Sequence, residues 1–275
     1  MKNETIRWFD LDGTLWNTNS MWWIIDKNNP ATHLFKISQY EGNLILSGYH
    51  KGDEHRIYYN GMEGWISNEM FIKIQRIRKI KLTDIGISWR EYQDNNLIEK
   101  QAEELIVHIH RIKHLEGTKD IINLLTARGN KGAHVFLLDR LNKDLEGLNI
   151  KINEAYFVND PSLISLHGST PEKKMICILE KIVGHKIEDY AFTPVLCDKY
   201  QDSHFYDDED KNIEACKIIN KFLREYLENT QPWIKQQIIE DLHTRKPKLF
   251  VNIVNTNELN PFDTEEIEIK INIYN

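Results

Sequence analysis

From residue 121 onward the hydrophobic pattern switches period repeatedly, and that switching leaves the chain few folds to choose from. The run "IINLLT" (121–126) is an apolar stretch of strand length that stops at the polar cluster "ARGN". "HVFLLDRLNKDL" (134–145) then repeats at helical spacing, "EAYFVND" (154–160) reads as a strand, and "TPEKKMICILEKIVG" (170–184) as a helix. In that helix Thr170 is expected at the N-cap, Pro171 at the first helical position and Gly184 just past the end. "SHFYDD" (203–208) is a further strand and "NIEACKIINKFLREYLEN" (212–229) a further helix. Strands alternating with helices of this length predict an α/β fold with a parallel sheet covered on both faces. Ligands on such sheets bind outside the carboxyl ends of the strands.

A further strand is expected at residues 5 to 10, and it ends on two acids, Asp10 and Asp12, followed by Gly13. Burying such carboxylates unpaired costs several kcal/mol or more, so they need compensation. Between this strand and the one at 121 the pattern differs. "NLILSGYH" (43–50) and "HRIYYNG" (55–61) flank "KGDE" and predict a hairpin turning near Gly52 and Asp53. "SNEMFIKIQRIRKIKL" (67–82) predicts a helix with Met70, Phe71, Ile74, Ile77 and Ile80 on its apolar side and Ser67 or Asn68 at its N-cap. A second helix is expected over about residues 93 to 112. At the C-terminal end "KLFVNIVNTN" and "EEIEIKINIYN", separated by "ELNPFD", alternate as an antiparallel pair that extends the sheet, packs as an appendix or mediates a homodimer. The organisation read from these patterns is a core from 1–18 and 112–230, an insert at 19–111 and a C-terminal extension at 231–275.

With 41% hydrophobic and 28% charged residues in 275, the composition is that of a globular chain, neither disordered nor fibrous. No apolar run reaches the length of a membrane span, and the first residues lack a basic region followed by an apolar stretch, so a cytoplasmic protein is expected. Cys177, Cys197 and Cys216 are too scattered for a metal pair or a disulfide framework, and buried thiols are expected. A net charge of -7 argues against coating nucleic acid through bulk electrostatics.

Four strand ends or helix starts carry polar groups: Asp10 and Asp12; Thr126 with Arg128; Lys173 and Lys174; Asp207, Asp208 and Asp210. Together they supply what phosphoryl transfer requires, carboxylates to hold a hard cation and cationic or hydroxyl donors for phosphoryl oxygens. "FDLDGTL", "LLTAR", a lysine at a helix start and "FYDDEDKNI", in that order, resemble the four motifs of the haloacid dehalogenase (HAD) superfamily of phosphohydrolases. The resemblance covers the core and implies a Rossmann-like parallel sheet, with the insert in the place of a C1-type cap and a C-terminal β-hairpin extension beyond the core.

Carried over by residue, the resemblance implies that Asp10 is the nucleophile and Asp12 the general acid and base. Magnesium would bind Asp10 through its side chain, Asp12 through its backbone carbonyl, and Asp208 with Asp207 assisting. Thr126 would hold the phosphoryl group, and Lys174, before Lys173, would be the third-motif lysine; the two point about 100 degrees apart on a helix. "LTAR" and "YDDE" resemble a subgroup of RNA-repair-associated HAD proteins, with Ala127 in place of a glycine and Glu209 in place of an arginine. The implied activity is a magnesium-dependent phosphomonoester hydrolase with an aspartyl-phosphate intermediate, acting on a phosphorylated small molecule or nucleotide. The alternatives are a phosphatase for 5' or 3' polynucleotide ends and a non-catalytic binding protein on the same scaffold.

Other residues carry blander expectations. Arg128 either touches substrate or pairs with a core carboxylate such as Asp207, and Asp210 is expected to be a solvated helix-start charge. His108, His110 and His114 lack metal-ligand spacing and are read as surface or partly buried side chains. Lys73, Arg76, Arg78, Lys79 and Lys81, with Trp16, Trp22, Trp23 and Trp65, could meet a nucleic acid, but a solvated helix face and core tryptophans are the favoured reading.

Overall fold

The computed structural model describes residues 5–17, 22–26, 28–37, 55–59, 62–66, 85–88, 106–129, 133–160, 168–187, 196–254 and 262–269. The chain divides into two compact units, Met1–Thr18 with Ala102–Asn275, and Asn19–Gln101. The first unit is α/β, built on a six-stranded, mostly parallel sheet: β1 (Thr5–Phe9), β2 (Ile121–Thr126), β3 (Glu154–Phe157), β4 (Asp202–Asp207), β5 (Lys248–Val254) and β6 (Phe262–Glu268). Their spatial order is β3-β2-β1-β4-β5-β6. All neighbours are parallel except β5 and β6, which pair antiparallel.

This order explains where a site can form. From β1 the chain winds outward through β2 to β3, then crosses back to lay β4 on the other side of β1. Connections leave in opposite directions on either side of β1, and a crevice opens at the carboxyl ends there. The register sets Phe9 beside Tyr206 and Leu124, so Asp10 follows β1 at the same level as Asp207 at the end of β4.

Alternation along the strands sorts side chains onto two faces. Ile6, Trp8, Leu125, Phe205, Leu249 and Val251 join one core cluster with Met175, Ile178 and Ile182 of α2 (Thr170–Val183). Ile213 and Cys216 of α3 (Asp210–Lys217), Leu223 and Leu227 of α4 (Ile219–Glu228), and Ile234, Ile238 and Leu242 of α5 (Pro232–Arg245) complete that layer. Burying each such side chain stabilises the fold by about 1.5–3 kcal/mol relative to exposure. Phe9, Ile122 and Leu124 point the other way and are buried, as are Leu137, Leu141 and Leu145 of α1 (Ala133–Leu145), outside the first cluster. On that face Phe9 stacks on Tyr206 at 4.2 Å between ring centres.

Local chemistry shifts several boundaries from the sequence expectation. The N-cap of α2 is Ser169, not Thr170: its hydroxyl and the Glu172 carboxylate form a capping box, and Thr170 and Pro171 are the first helical residues. Gly184 closes the helix at φ 76, a left-handed turn open to glycine. The single helix expected over 212–229 starts at Asp210 and breaks at Ile218. Helix α5, with Pro232 in its first turn, was not anticipated, although a proline there is a recognised start signal. The C-terminal pair extends the sheet, since β5 pairs in parallel with β4.

The helix expected over 93–112 is replaced in its described part by a strand pair, Ile106–Val107 with Trp16–Asn17, and a single helical turn, Ile109–Ile112. His108 N–H donates to Leu15 O at 2.7 Å and continues that ribbon. In the second unit His55–Tyr59 pairs with Met62–Ile66 in an antiparallel pair that the sequence reading does not include. Residues 43–50 and the helix expected at 67–82, with the basic residues Lys73 to Lys81, lie outside the described residues. Trp22–Asp26 pairs with Asn29–Ile37 and Ile85–Ser88 in a three-stranded sheet that was not expected. Among the described residues no helix is long and apolar enough to cross a membrane.

Candidate functional site

The carboxyl ends of β1, β2 and β4 and the start of α2 bring together most of the polar residues singled out above. Lys174 is 1% exposed, and its Nζ donates to Asp10 Oδ1 and to Asp207 Oδ2, each at 2.7 Å. Lys173, one step round the helix, instead approaches Asn159 Oδ1 at 3.4 Å. Helical geometry therefore separates two adjacent lysines into one inside the acidic cluster and one outside it.

Asp207, wholly buried, is enclosed by donors. Asn212 Nδ2 reaches both its oxygens at 2.9 and 3.0 Å, and the Glu209 N–H donates to Oδ1 at 2.9 Å. Asp208 turns to the chain after β1, where the Thr14 hydroxyl donates to its Oδ1 at 3.2 Å. Gly13 is required there twice over. Its φ is +83, and a Cβ would stand 2.2 Å from Asp208 Oδ2.

Carboxylate oxygens of Asp10, Asp207 and Asp208 lie within 4.8 Å of one another, the one group of potential metal-ligating side chains found among the described residues. Around a magnesium ion at about 2.1 Å, ligand oxygens sit about 3.0 Å apart when adjacent and about 4.2 Å apart when opposite. The trio gathers within a few ångströms of that spacing the all-oxygen donors a hard cation prefers. Its electrostatics point the same way. Burial raises the Asp10 pKa well above the usual carboxylate value, opposed by Lys174 and reinforced by the charges of Asp207 and Asp12. The Asp208 carboxyl is pushed up to about 6, first by desolvation and then by Asp207. Burial lowers the pKa of Lys174, but the two carboxylates outweigh it and hold the ammonium firmly charged. Three acids against one ammonium leave a negative pocket that a cation would relieve.

Asp12 stands apart from the trio. Arg128, 3% exposed, grips it with a two-pronged fork, Nε to Oδ2 at 2.9 Å and Nη2 to Oδ1 at 2.8 Å. The guanidinium also lies 5.8 Å from the Trp16 ring centre. The pairing of Arg128 with Asp207 offered from the sequence is thus corrected: Lys174 and Asn212 already fill Asp207, and Asp12 is the arginine's carboxylate. Thr126, fully buried at the end of β2, accepts the Arg128 backbone N–H on its hydroxyl at 3.3 Å. Asp210 is exposed as the first residue of α3. His110 and His114 are exposed and His108 half-buried. Cys177 and Cys216 are buried and Cys197 half-buried, all three as free thiols.

Three participants escaped the sequence reading. Asn212 had a signal: four residues after Asp208 and in the first turn of a helix, it folds back over the acids. Asn159, after β3, donates to Ala127 O at 2.7 Å and to Thr170 Oγ1 at 3.0 Å, tying the loop after β2 to the start of α2. Arg111 is 8% exposed, and its Nη1 donates to the carbonyls of Gly13 and Thr14, each at 2.6 Å. Its place in "HIHRIKH" gives no hint of that contact, which exists only through tertiary folding. No family model, curated protein or solved structure matches the chain.

Proposed function

We propose that this protein is a magnesium-dependent phosphomonoester hydrolase of the HAD type, acting on a phosphorylated small molecule or nucleotide. The observation that carries the reading is the buried Lys174 ammonium bridging Asp10 and Asp207 at 2.7 Å, with Asp208 close enough to share a cation with both. Asp10, Asp207 and Asp208, with the Asp12 carbonyl, would hold magnesium, which offsets the repulsion between these acids and a phosphate dianion. Lys174 holds Asp10 through Oδ1, leaving Oδ2 to attack phosphorus. As that bond forms, the bond from phosphorus to the ester oxygen breaks, and Asp12, protonated once one prong of the Arg128 fork has let go of it, gives the departing oxygen its proton. Water then attacks the aspartyl phosphate while Asp12 takes a proton back, releasing inorganic phosphate and restoring both acids. Thr126 and Lys174 serve as donors to the phosphoryl oxygens.

In this reading Asn19–Gln101, the second unit, is the cap that selects substrate. The three free thiols accord with a reducing cytoplasmic compartment. The test is phosphate release from an aryl phosphate and from nucleotides, with and without magnesium, in the wild type and in Asp10→Asn. Magnesium-dependent release that is lost in the variant is expected; an Asp10→Asn protein that keeps its activity rules out the covalent route.

A further inference from the structure

The carboxylate of Asp208 rests on two residues. Gly13 leaves open the space its oxygen fills, since a Cβ there would lie 2.2 Å from Oδ2, and the Thr14 hydroxyl bonds Oδ1. Both residues are held by one nitrogen of Arg111, which donates a hydrogen to each of their carbonyls at 2.6 Å. Consecutive carbonyls point to opposite sides in a strand; they converge here because Gly13 turns left-handed at φ +83. The far side of the same turn is fixed by Gly13 N–H to Trp16 O at 2.9 Å and by Leu15 and Trp16 N–H to Leu11 O at 3.1 and 3.0 Å. Among the described residues, the Arg111 Nε is buried without an acceptor. Burial lowers the Arg111 pKa, and the Asp208 carboxylate opposes that.

We propose that Arg111 is a positioning residue for cation binding: it holds the Gly13–Thr14 turn from behind and thereby fixes the seat of the Asp208 carboxylate. The proposal rests on the reading of the acidic trio as a magnesium site. Arg111 touches neither substrate nor cation and acts through the turn. A lysine keeps the charge but offers a single point on a flexible stem in place of a planar fork, so Arg111→Lys separates charge from placement.

Three measurements on the full-length wild type and Arg111→Lys decide the matter. Calorimetric titration with magnesium alone should show affinity falling at least tenfold in the variant. In phosphate release, the magnesium concentration for half-maximal rate should rise by a similar factor, while KM for the aryl phosphate at saturating magnesium changes less than twofold. Hydrogen exchange followed by mass spectrometry should accelerate at least tenfold in a peptide covering residues 11–16 and stay unchanged in one covering β5. Equal magnesium affinity, or unchanged exchange over 11–16, overturns the proposal. So does acceleration across all peptides, which marks general destabilisation. A wild type that binds magnesium but releases no phosphate defeats the phosphatase reading alone. A wild type that binds no magnesium defeats both.

Discussion

Replacing Lys174 by methionine removes one charge from the buried cluster while nearly preserving volume, so the expected loss is electrostatic. The lysine is 1% exposed and makes two hydrogen bonds of 2.7 Å to acids that are themselves buried. Removing one partner of a buried ion pair costs about 3–5 kcal/mol, because the remaining charges stay desolvated and uncompensated. In a chain of this size that lowers the melting temperature by roughly 6–10 °C. The loss has a pH signature. A raised carboxyl pKa, as at Asp10, means that native stability is fullest at low pH and declines as pH rises through the folded value. Taking away Lys174 raises that carboxyl further, so protonation relieves the variant before it affects the wild type. The gap in melting temperature, followed by circular dichroism in a chelating buffer, should therefore be wide at about pH 8 and narrow at about pH 5. Millimolar magnesium should recover part of the loss at the higher pH by supplying the missing positive charge. Melting temperatures that agree within about 1 °C at the higher pH refute the reasoning.

Other expectations follow from the same contacts. Gly13→Ala must hold a left-handed backbone costing about 1–2 kcal/mol and displace the Asp208 carboxylate; half-saturation by magnesium should move to higher concentration, and an unchanged value counts against the shared seat. Asn212→Ala strips Asp207 of two hydrogen bonds and should destabilise the protein by about 2 kcal/mol in urea unfolding, a figure that a shift under about 0.5 kcal/mol contradicts. Because desolvation and Asp207 push the Asp208 carboxyl up to about 6, magnesium affinity should be lower at pH 5 than at pH 7; calorimetry at the two pH values checks it, and equal affinity counts against Asp208 as a ligand. The edge strand β6 carries Asp263, Glu265, Glu266 and Glu268, and self-pairing there would oppose like charges. Light scattering should accordingly find no homodimer that forms through this edge.

What was legible in the sequence was whatever local period and local order encode. The core strands and the helices between them announced themselves because a buried strand is a short apolar run and a covering helix repeats near every fourth residue. Asp10, Thr126, the Lys173–Lys174 pair and Asp207 with Asp208 stand at strand ends or a helix start, and the resemblance to the ordered motifs is what joined them into one expected site. The choice between Lys173 and Lys174 needed the helix phase, which fixes only when α2 docks its apolar side on β1 and β4. Arg128 is read from the sequence as meeting substrate or a core carboxylate; it pairs with a carboxylate, Asp12 in place of Asp207, because which acid lies in reach depends on the turn that Gly13 makes. Arg111 was invisible, since its partners are backbone carbonyls and any sequence supplies those. In the second unit the strands Trp22–Asp26, Asn29–Ile37 and Ile85–Ser88 carry no expectation from the sequence, since their pairing is set by contacts distant along the chain.

The strand pair of Trp16–Asn17 with Ile106–Val107 has a consequence for how such a chain can be altered. It brings the two points where the α/β unit is interrupted side by side, hydrogen-bonded to each other. To the sheet, residues 18–105 are then equivalent to the loop of a hairpin, and closing a hairpin needs as few as two residues. The interruption is a single graft point, where the intervening segment can be exchanged for another, or for a short turn, without rerouting a strand of the sheet.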